Sequence, residues 1–447
     1  MSDLPSYSDY KESGVEWLGK IPSHWEISRL KFLGDIVLGL TYSPEDITTE
    51  NGILVFRSSN VQNGQLTFDD NIYVDKDIPK KMITTEYDIL ICSRNGSRDL
   101  IGKSALISEE GIGQTFGAFM TIFRTHYRKY IYYILNSALF KYQIGSFLTS
   151  TINQLTTYVL GNFKICFPSL EEQKAITRYL DKKLAQIDTL ITKQQALLEK
   201  LAEQRIALIS NAVTKGLNPD VEMKESGVEW LGKIPSHWLL IKNKFILNFS
   251  KGLTITKENL IDEGIPCVNY GEVHSKFGFE VDPNKHSLKC VPEIYLNDFP
   301  NALLKKGDFI FADTSEDIKG SGNFTYLNSE LPTFAGYHTI IAKINNINYP
   351  RYLAYVFDCD SYRNQIRAQV KGIKVFSITQ FMLKNSIVWL PPLEEQQAIA
   401  NYLDNKMNQI ERVELSHIEC INRLKEYRST LITQAVTGKI DVRNLAN

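Results

Sequence analysis

The chain predicts an α+β fold in which two mixed α/β domains are joined by two long antiparallel coiled-coil helices, as a pseudo-two-fold internal repeat. Three observations predict it. A fifteen-residue motif occurs twice, a block of helical character occurs twice, and the stretches between them differ. Repeats of this kind define an architecture before any single residue is weighed.

Residues 11–25 read KESGVEWLGKIPSHW, and residues 224–238 repeat the same fifteen letters 213 positions later. Pro168, Leu170, Glu171, Glu172, Gln173, Ala175 and Ile176 recur as Pro391, Leu393, Glu394, Glu395, Gln396, Ala398 and Ile399, now displaced by 223. The same displacement carries Ala212, Val213 and Thr214 onto Ala435, Val436 and Thr437. The chain therefore divides into an N-terminal segment (1–25), a first variable domain (26–167), a first helix (168–217), a linker with the repeated motif (218–238), a second variable domain (239–390) and a distal helix (391–447). The helical blocks keep their length while the variable domains, 142 and 152 residues long, do not. That pattern fits two interchangeable readers on a fixed frame.

After Pro168 the apolar period becomes that of a coiled coil. Leu180, Leu184, Ile187, Ile191, Gln194, Leu198, Leu201, Arg205, Leu208 and Ala212 step by alternating fours and threes. Their counterparts are Leu403, Met407, Ile410, Glu414, His417, Ile421, Leu424, Arg428, Leu431 and Ala435. Ser169 with Glu172 fits a capping box, and Gly216 with Pro219 stops the first helix. Pro391 and Pro392 open the second helix, and Gly438 follows its end. Each spans about 45 residues, roughly 65 Å. An antiparallel pair attaches both variable domains equivalently. Polar seam residues such as Gln194, Arg205, His417 and Arg428 serve register.

Both variable domains read as mixed α/β, with β-like runs at 53–57, 87–92, 120–124, 308–312 and 338–344 between Gly- and Asn-rich turns. Gly39, Leu40 and Thr41 correspond to Gly252, Leu253 and Thr254, and Asp88 to Asp308. Loops diverge after these anchors. Those of the first domain carry Arg57, Ser58, Asn60 and Gln62, then Arg94, Asn95, Ser97 and Arg98, then Lys103. Arginine pairs two-pronged with guanine, and Asn or Gln with adenine, while Ser, Lys and backbone amides suit phosphates. The second domain offers Lys251, Asn269, Tyr270, Glu272, His274, Lys276 and the stretch 314–323 with Lys319. Arg124, His126, Arg128 and Lys129 form a further phosphate-patch candidate. Tyr132, Tyr133, Tyr352 and Tyr355 stand at helical spacing and read as core.

Bulk properties agree without deciding. At 447 residues the chain holds two or three domains. Its net charge of −1 leaves a basic patch possible inside a neutral sum. The six cysteines show no C-x-x-C and no metal-ligand spacing, which suits a reduced cytoplasmic protein. Residues 1–10 are polar, unlike a signal peptide. No apolar run approaches the roughly 18–20 residues that cross a bilayer, so no membrane partner is expected. No Walker A loop, Gly-rich methyltransferase loop, Asn/Asp-Pro-Pro-aromatic motif, nucleophile elbow or HExxH occurs, which argues against a free-standing enzyme. His24 and His237, each beside a tryptophan, read as structural rather than catalytic.

The duplicated ESGVEWLGKIPSHW and the Pro-x-Leu-Glu-Glu-Gln-x-Ala-Ile openings at Pro168 and Pro391 are similar to the repeats of type I restriction-modification specificity subunits. The resemblance covers essentially the whole chain. It implies two target-recognition domains that each read one half of a split, asymmetric double-stranded DNA site, with helix length setting the gap. It implies two methyltransferase subunits acting on adenine and two ATP-dependent restriction/motor subunits as partners. S-adenosylmethionine, ATP and Mg are expected on those partners, with no catalytic residue, cofactor or metal on this chain. The competing reading is a coiled-coil scaffold that carries protein-binding modules and never touches DNA.

Overall fold

The computed structural model describes residues 4–49, 52–147, 153–345, 348–372 and 374–445. Residues 1–3 of the N-terminal segment and 446–447 of the distal one lie outside them. The chain forms two compact units, Met1–Gln195 with Ile418–Asn447 and Ala196–His417.

In the first unit, β1 (Asp35–Leu38), β2 (Asp88–Cys92), β3 (Ser104–Leu106) and β4 (Met120–Arg124) make an antiparallel sheet in the order β3-β2-β4-β1. The register sets Cys92 against Met120 and Thr121 against Leu38 at one end, and Arg124 against both Asp88 and Asp35 at the other. All of β2 is buried, as its Ile-Leu-Ile run requires. A second sheet pairs Ile53–Phe56 in parallel with Thr115–Phe116. Helices α1 (Arg128–Leu135) and α2 (Thr157–Asn162) complete the domain. The strand Lys164–Phe167 then pairs with Glu26–Arg29 and leads into α3 (Leu170–Lys215).

The second unit repeats the plan with one strand more. Its sheet holds β5 (Leu247–Lys251), β6 (Phe279–Val281), β7 (Phe309–Ala312), β8 (Phe324–Leu327) and β9 (Thr339–Ile344), in the order β5-β9-β7-β8-β6. Ile265–Val268 pairs in parallel with Thr333–Ala335, the counterpart of the first unit's parallel pair. Next come α4 (Pro350–Asp358) and α5 (Gln380–Asn385), then Ile387–Leu390 paired with Leu239–Lys242, then α6 (Leu393–Val436).

The long helices run antiparallel within each unit. The first unit's core joins Ile176, Tyr179, Leu180, Leu184 and Ile187 of α3 to Leu431, Ile432, Ala435 and Val436 of α6. The second unit's core joins Ile209, Ala212 and Val213 to Ile399, Ala400 and Leu403. Seam residues Leu180, Leu184, Ile187, Ala212, Leu403, Leu431 and Ala435 are buried, whereas Ile191, Leu198, Leu201, Leu208, Met407 and Leu424 are half-buried. Arg428 keeps its seam place through an ion pair with Asp188 at 3.0 Å. Arg205 does not, being exposed and facing a cleft of the second domain.

The repeated motif docks each domain on a helix. Trp25 and Trp238 are wholly buried. Glu172 accepts from Tyr7 Oη at 2.7 Å and lies 3.0 Å from His24 Nε2, and Glu395 lies 2.7 Å from His237 Nε2. The expected capping box is thus only half formed. Ser169 Oγ accepts from the Glu172 amide at 3.3 Å, but the Glu172 side chain turns to the motif. Gly216 and Gly438 end the helices with φ of 76° and 68°, where a side chain would be strained. Beyond Gly438 the Asp441 amide donates to the Pro5 carbonyl at 2.7 Å, and Val442 is buried in the first unit's core.

Candidate nucleic-acid interface

The three loops singled out in the first domain come together at the Cys92 end of its sheet. Asn95 Nδ2 donates to Ser58 Oγ at 3.1 Å, and Lys103 Nζ donates to the Val61 carbonyl at 3.2 Å. Asn95 Oδ1 also accepts from the Ser97 amide at 2.9 Å, which fixes the turn that presents Arg94 and Arg98. Gln62, Arg94, Ser97 and Arg98 are exposed, while Arg57, Ser58, Asn95 and Lys103 are half-buried. The Arg94 guanidinium lies 5.2 Å from the Phe119 ring, itself 57% exposed. Arg57 is tied to Asp70 at 2.8 Å, and its buried Nε has no partner. Arg98 Nη2 donates to the Gly145 carbonyl.

Asn60 is different. It is wholly buried, accepting from the Arg57 amide at 2.9 Å and donating to the Thr67 carbonyl at 3.1 Å. Such an amide holds the turn and cannot reach a base, so Asn60 leaves the candidate set.

In the second domain the candidates cluster at the matching end, where Ala312 faces Thr339 and Lys251 faces Ile340. Tyr270 stacks on His274 with ring centroids 5.2 Å apart, and His274 Nδ1 lies 3.1 Å from Asn323 Nδ2. Lys276 pairs with Glu272 at 3.5 Å. Exposed Lys319 lines a cleft with His274, Arg363, Arg367 and Arg205, and the Lys319 carbonyl accepts from Arg367 at 2.9 Å. Lys251 lines a second cleft with Tyr337, His338 and Phe381. Asn269 is 1% exposed and spent on the local turn, its backbone amide donating to Glu272 Oε2 at 3.1 Å and its Nδ2 donating to the Cys267 carbonyl at 3.4 Å. It leaves the set for the same reason as Asn60.

The proposed phosphate patch is also consumed by the fold. Arg124 makes two bonds to buried Asp88, at 2.7 and 2.8 Å, and Lys129 pairs with Asp181 at 3.0 Å. Arg128 donates to the Glu86 carbonyl, and the His126 ring packs edge-on against Tyr87. Tyr133, Tyr352 and Tyr355 are core, and half-buried Tyr132 donates to the Gly64 carbonyl at 3.0 Å. Sequence reading missed Phe119, Arg363 and Arg367. It also missed Tyr158 and Phe381, which are 77% and 71% exposed at equivalent places on α2 and α5. Their displacement of 223 from one another was the available signal.

Among the described residues no group of three or more His, Cys, Asp and Glu is arranged to hold a metal ion. No described helix is long and apolar enough to cross a membrane. Buried thiols are held protonated, with Cys166 and Cys359 pushed up to about 12 by burial.

Two comparisons of sequence and one of structure bear on this arrangement. The family model described as type I restriction modification DNA specificity domain matches twice, over residues 22–200 and 235–420. The specificity subunit of the type I restriction enzyme EcoKI from Escherichia coli K12 is 25% identical over 443 residues, covering 94% of this chain and 90% of that protein. The MjaVIII specificity subunit of Methanocaldococcus jannaschii is 26% identical over 380 residues, covering 82% of each. The fold is shared with the HsdS subunit of Thermoanaerobacter tengcongensis, at a TM-score of 0.53 and 15% identity, over 96% of this chain and all of that one. A chain from a structural study of type I R-M complex assembly gives a TM-score of 0.66 at 15% identity, over 93% of this chain and 98% of that one. With its duplicated recognition domains and paired helices, the chain belongs to the type I restriction-modification DNA specificity family.

Proposed function

We propose that this chain is the DNA-reading subunit of a type I restriction-modification complex, each domain reading one half of a split, asymmetric site. One observation carries the reading. The same sheet is built twice, and at the same end of each copy the loops carry unlike polar sets: Arg94, Arg98, Gln62 and Lys103 in one, Lys319, Lys276, Tyr270 and Lys251 in the other. A shared scaffold with different loops presents different hydrogen-bond patterns to the major groove. The helices set the spacer and carry two methyltransferase subunits, joined by two motor-nuclease subunits for cleavage. S-adenosylmethionine, ATP and Mg belong to those partners, which leaves binding as this chain's own task in the cytoplasm. The nearly neutral charge suits that division, because phosphate neutralisation, which dominates affinity, is then shared with the partners.

Exchange of residues 26–167 for the matching domain of another family member tests the reading. Methylation mapping should show one half of the modified sequence replaced and the other retained. An unchanged methylated sequence would remove DNA reading from this domain and leave a protein-binding scaffold.

A further inference from the structure

The end of each sheet away from the reading loops carries the same small feature. Arg29, Lys31 and Phe32 recur as Lys242, Lys244 and Phe245, a displacement of 213. They lie outside the fifteen-residue motif, in domains whose loops otherwise diverge. Both sets sit on a one-turn 3-10 helix, Leu30–Phe32 and Asn243–Phe245, entered from an extended residue. Each turn is closed alike, the Leu33 amide donating to Leu30 at 2.8 Å and the Ile246 amide to Asn243 at 3.0 Å. Beneath, the Leu30 amide donates to the Phe163 carbonyl at 3.1 Å, and Asn243 Nδ2 donates to the Leu383 carbonyl at 3.1 Å.

What these rigid turns present is apolar and basic together. Phe32 is 71% exposed and Phe245 61%. The ammonium of Lys31 lies 5.3 Å from the Phe32 centroid and that of Lys244 lies 5.1 Å from Phe245. Arg29 and Lys242 are exposed beside them. Singly exposed apolar residues are ordinary; what sets these two apart is that each stands at the same place in its unit with a cation held beside its ring.

The position argues against the bound DNA as its cover. The reading loops leave the sheets at Cys92 and Ala312, while the two turns precede Asp35, facing Arg124, and Leu247, facing Ile344. The shared Lys-Phe pair argues against a sequence-specific contact, since the two half-sites differ while Lys31 and Phe32 recur as Lys244 and Phe245. An unvarying surface present twice fits one partner present twice.

Resting on the function proposed above, we infer that Phe32 and Phe245, each with its flanking cations, are twin anchors for two copies of one protein partner. That partner offers an apolar pocket rimmed by carboxylates, and in this complex it is the methyltransferase subunit. The stacked lysine restrains the ring before binding, which lowers the ordering cost, and a buried aromatic with a cation is the usual composition of a binding hot spot.

The test uses the full chain and the methyltransferase subunit of its own system, with stepwise binding followed by native mass spectrometry and titration. Phe32→Ala should weaken one of the two binding steps by on the order of 10–100-fold, and F32A/F245A should weaken both. K31E/K244E keeps both rings and should weaken both steps by a smaller factor, with a reduced salt dependence. Thermal unfolding and cognate-DNA affinity of the free chain should not change. Two unaltered binding steps in F32A/F245A would overturn the inference while leaving the specificity-subunit reading intact. Loss of DNA affinity with normal subunit binding would also overturn it, assigning the turns to nucleic acid. If the unaltered chain binds no methyltransferase subunit, the specificity-subunit reading fails and the inference fails with it.

Discussion

Asp88 opens β2 and Asp308 immediately precedes the equivalent β7, but their surroundings differ. Asp88 is wholly buried and gripped by Arg124 through two bonds. Asp308 is 6% exposed and accepts from the Lys305 amide at 2.8 Å, without an arginine clamp. Nearby Lys343 donates instead to the Leu303 carbonyl at 2.7 Å. Burial therefore raises the Asp308 carboxyl above the usual carboxylate range, and the amide bond and lysine charges only partly oppose this. A folded-state value above the unfolded one favours the native state below the unfolded value, about 4. That contribution disappears as pH rises through the folded value. Asp308→Asn keeps an oxygen for the Lys305 amide and removes the buried charge. Its stability relative to the unaltered chain should increase from about pH 4 upward and then level off. Urea midpoints at several pH values would show this, and a pH-independent difference would refute it.

At the scale of elements, the two units repeat one joint with different burial. Tyr130 and Tyr352 donate to the carbonyls of Cys166 and Trp389 at 2.9 and 3.0 Å, tying α1 and α4 to the strands that feed the long helices. Tyr133 and Lys129 then bind Asp181 of α3, as Tyr355 and Arg351 bind Asp404 of α6. Arg351 is also paired with Glu280 and packed within 4.9 Å of the Phe279 ring. Lys129 is 55% exposed and Arg351 only 21%. Removing Asp404 leaves the largely buried guanidinium with Glu280 alone and takes the acceptor from the buried Tyr355 hydroxyl, so Asp404→Ala should cost about 2 kcal/mol. Asp181→Ala removes an ion pair open to water along with the Tyr133 contact, and should cost about 1 kcal/mol. Equal losses in urea denaturation would contradict the burial argument. The same elements show what sequence could disclose. The helices were legible from their seam spacing and the antiparallel pairing from the need to attach two domains equivalently, whereas the meeting of the first domain's loops rests on contacts that polar turn residues do not announce. The roles of Asn60, Asn269 and Arg124 were not, since a polar letter in a turn does not say whether its side chain faces solvent or the turn's own backbone. Arg205 sits at a regular heptad position, yet it faces a cleft whose walls come from residues over sixty positions away in sequence.

For the whole molecule, the proposed function makes helix length a recognition variable. Each recognition domain is fastened to both α3 and α6, through the motif at Glu172 or Glu395 and through the buried ends of the helices. A seven-residue insertion in one helix alone would offset its seam from the unlengthened partner. Two matched heptads, one in the middle of each helix, preserve the a/d pattern and lengthen the pair by about 10 Å. At about 3.4 Å per base pair, that distance corresponds to roughly three base pairs. The doubly lengthened chain should therefore methylate a site with the same two half-sequences and a spacer about three base pairs longer. The singly lengthened chains should unfold at lower urea and lose methylation of both spacings. Methylation mapping of the three variants decides the matter. An unchanged spacer in the doubly lengthened chain would mean that the helices hold the partners without measuring the DNA.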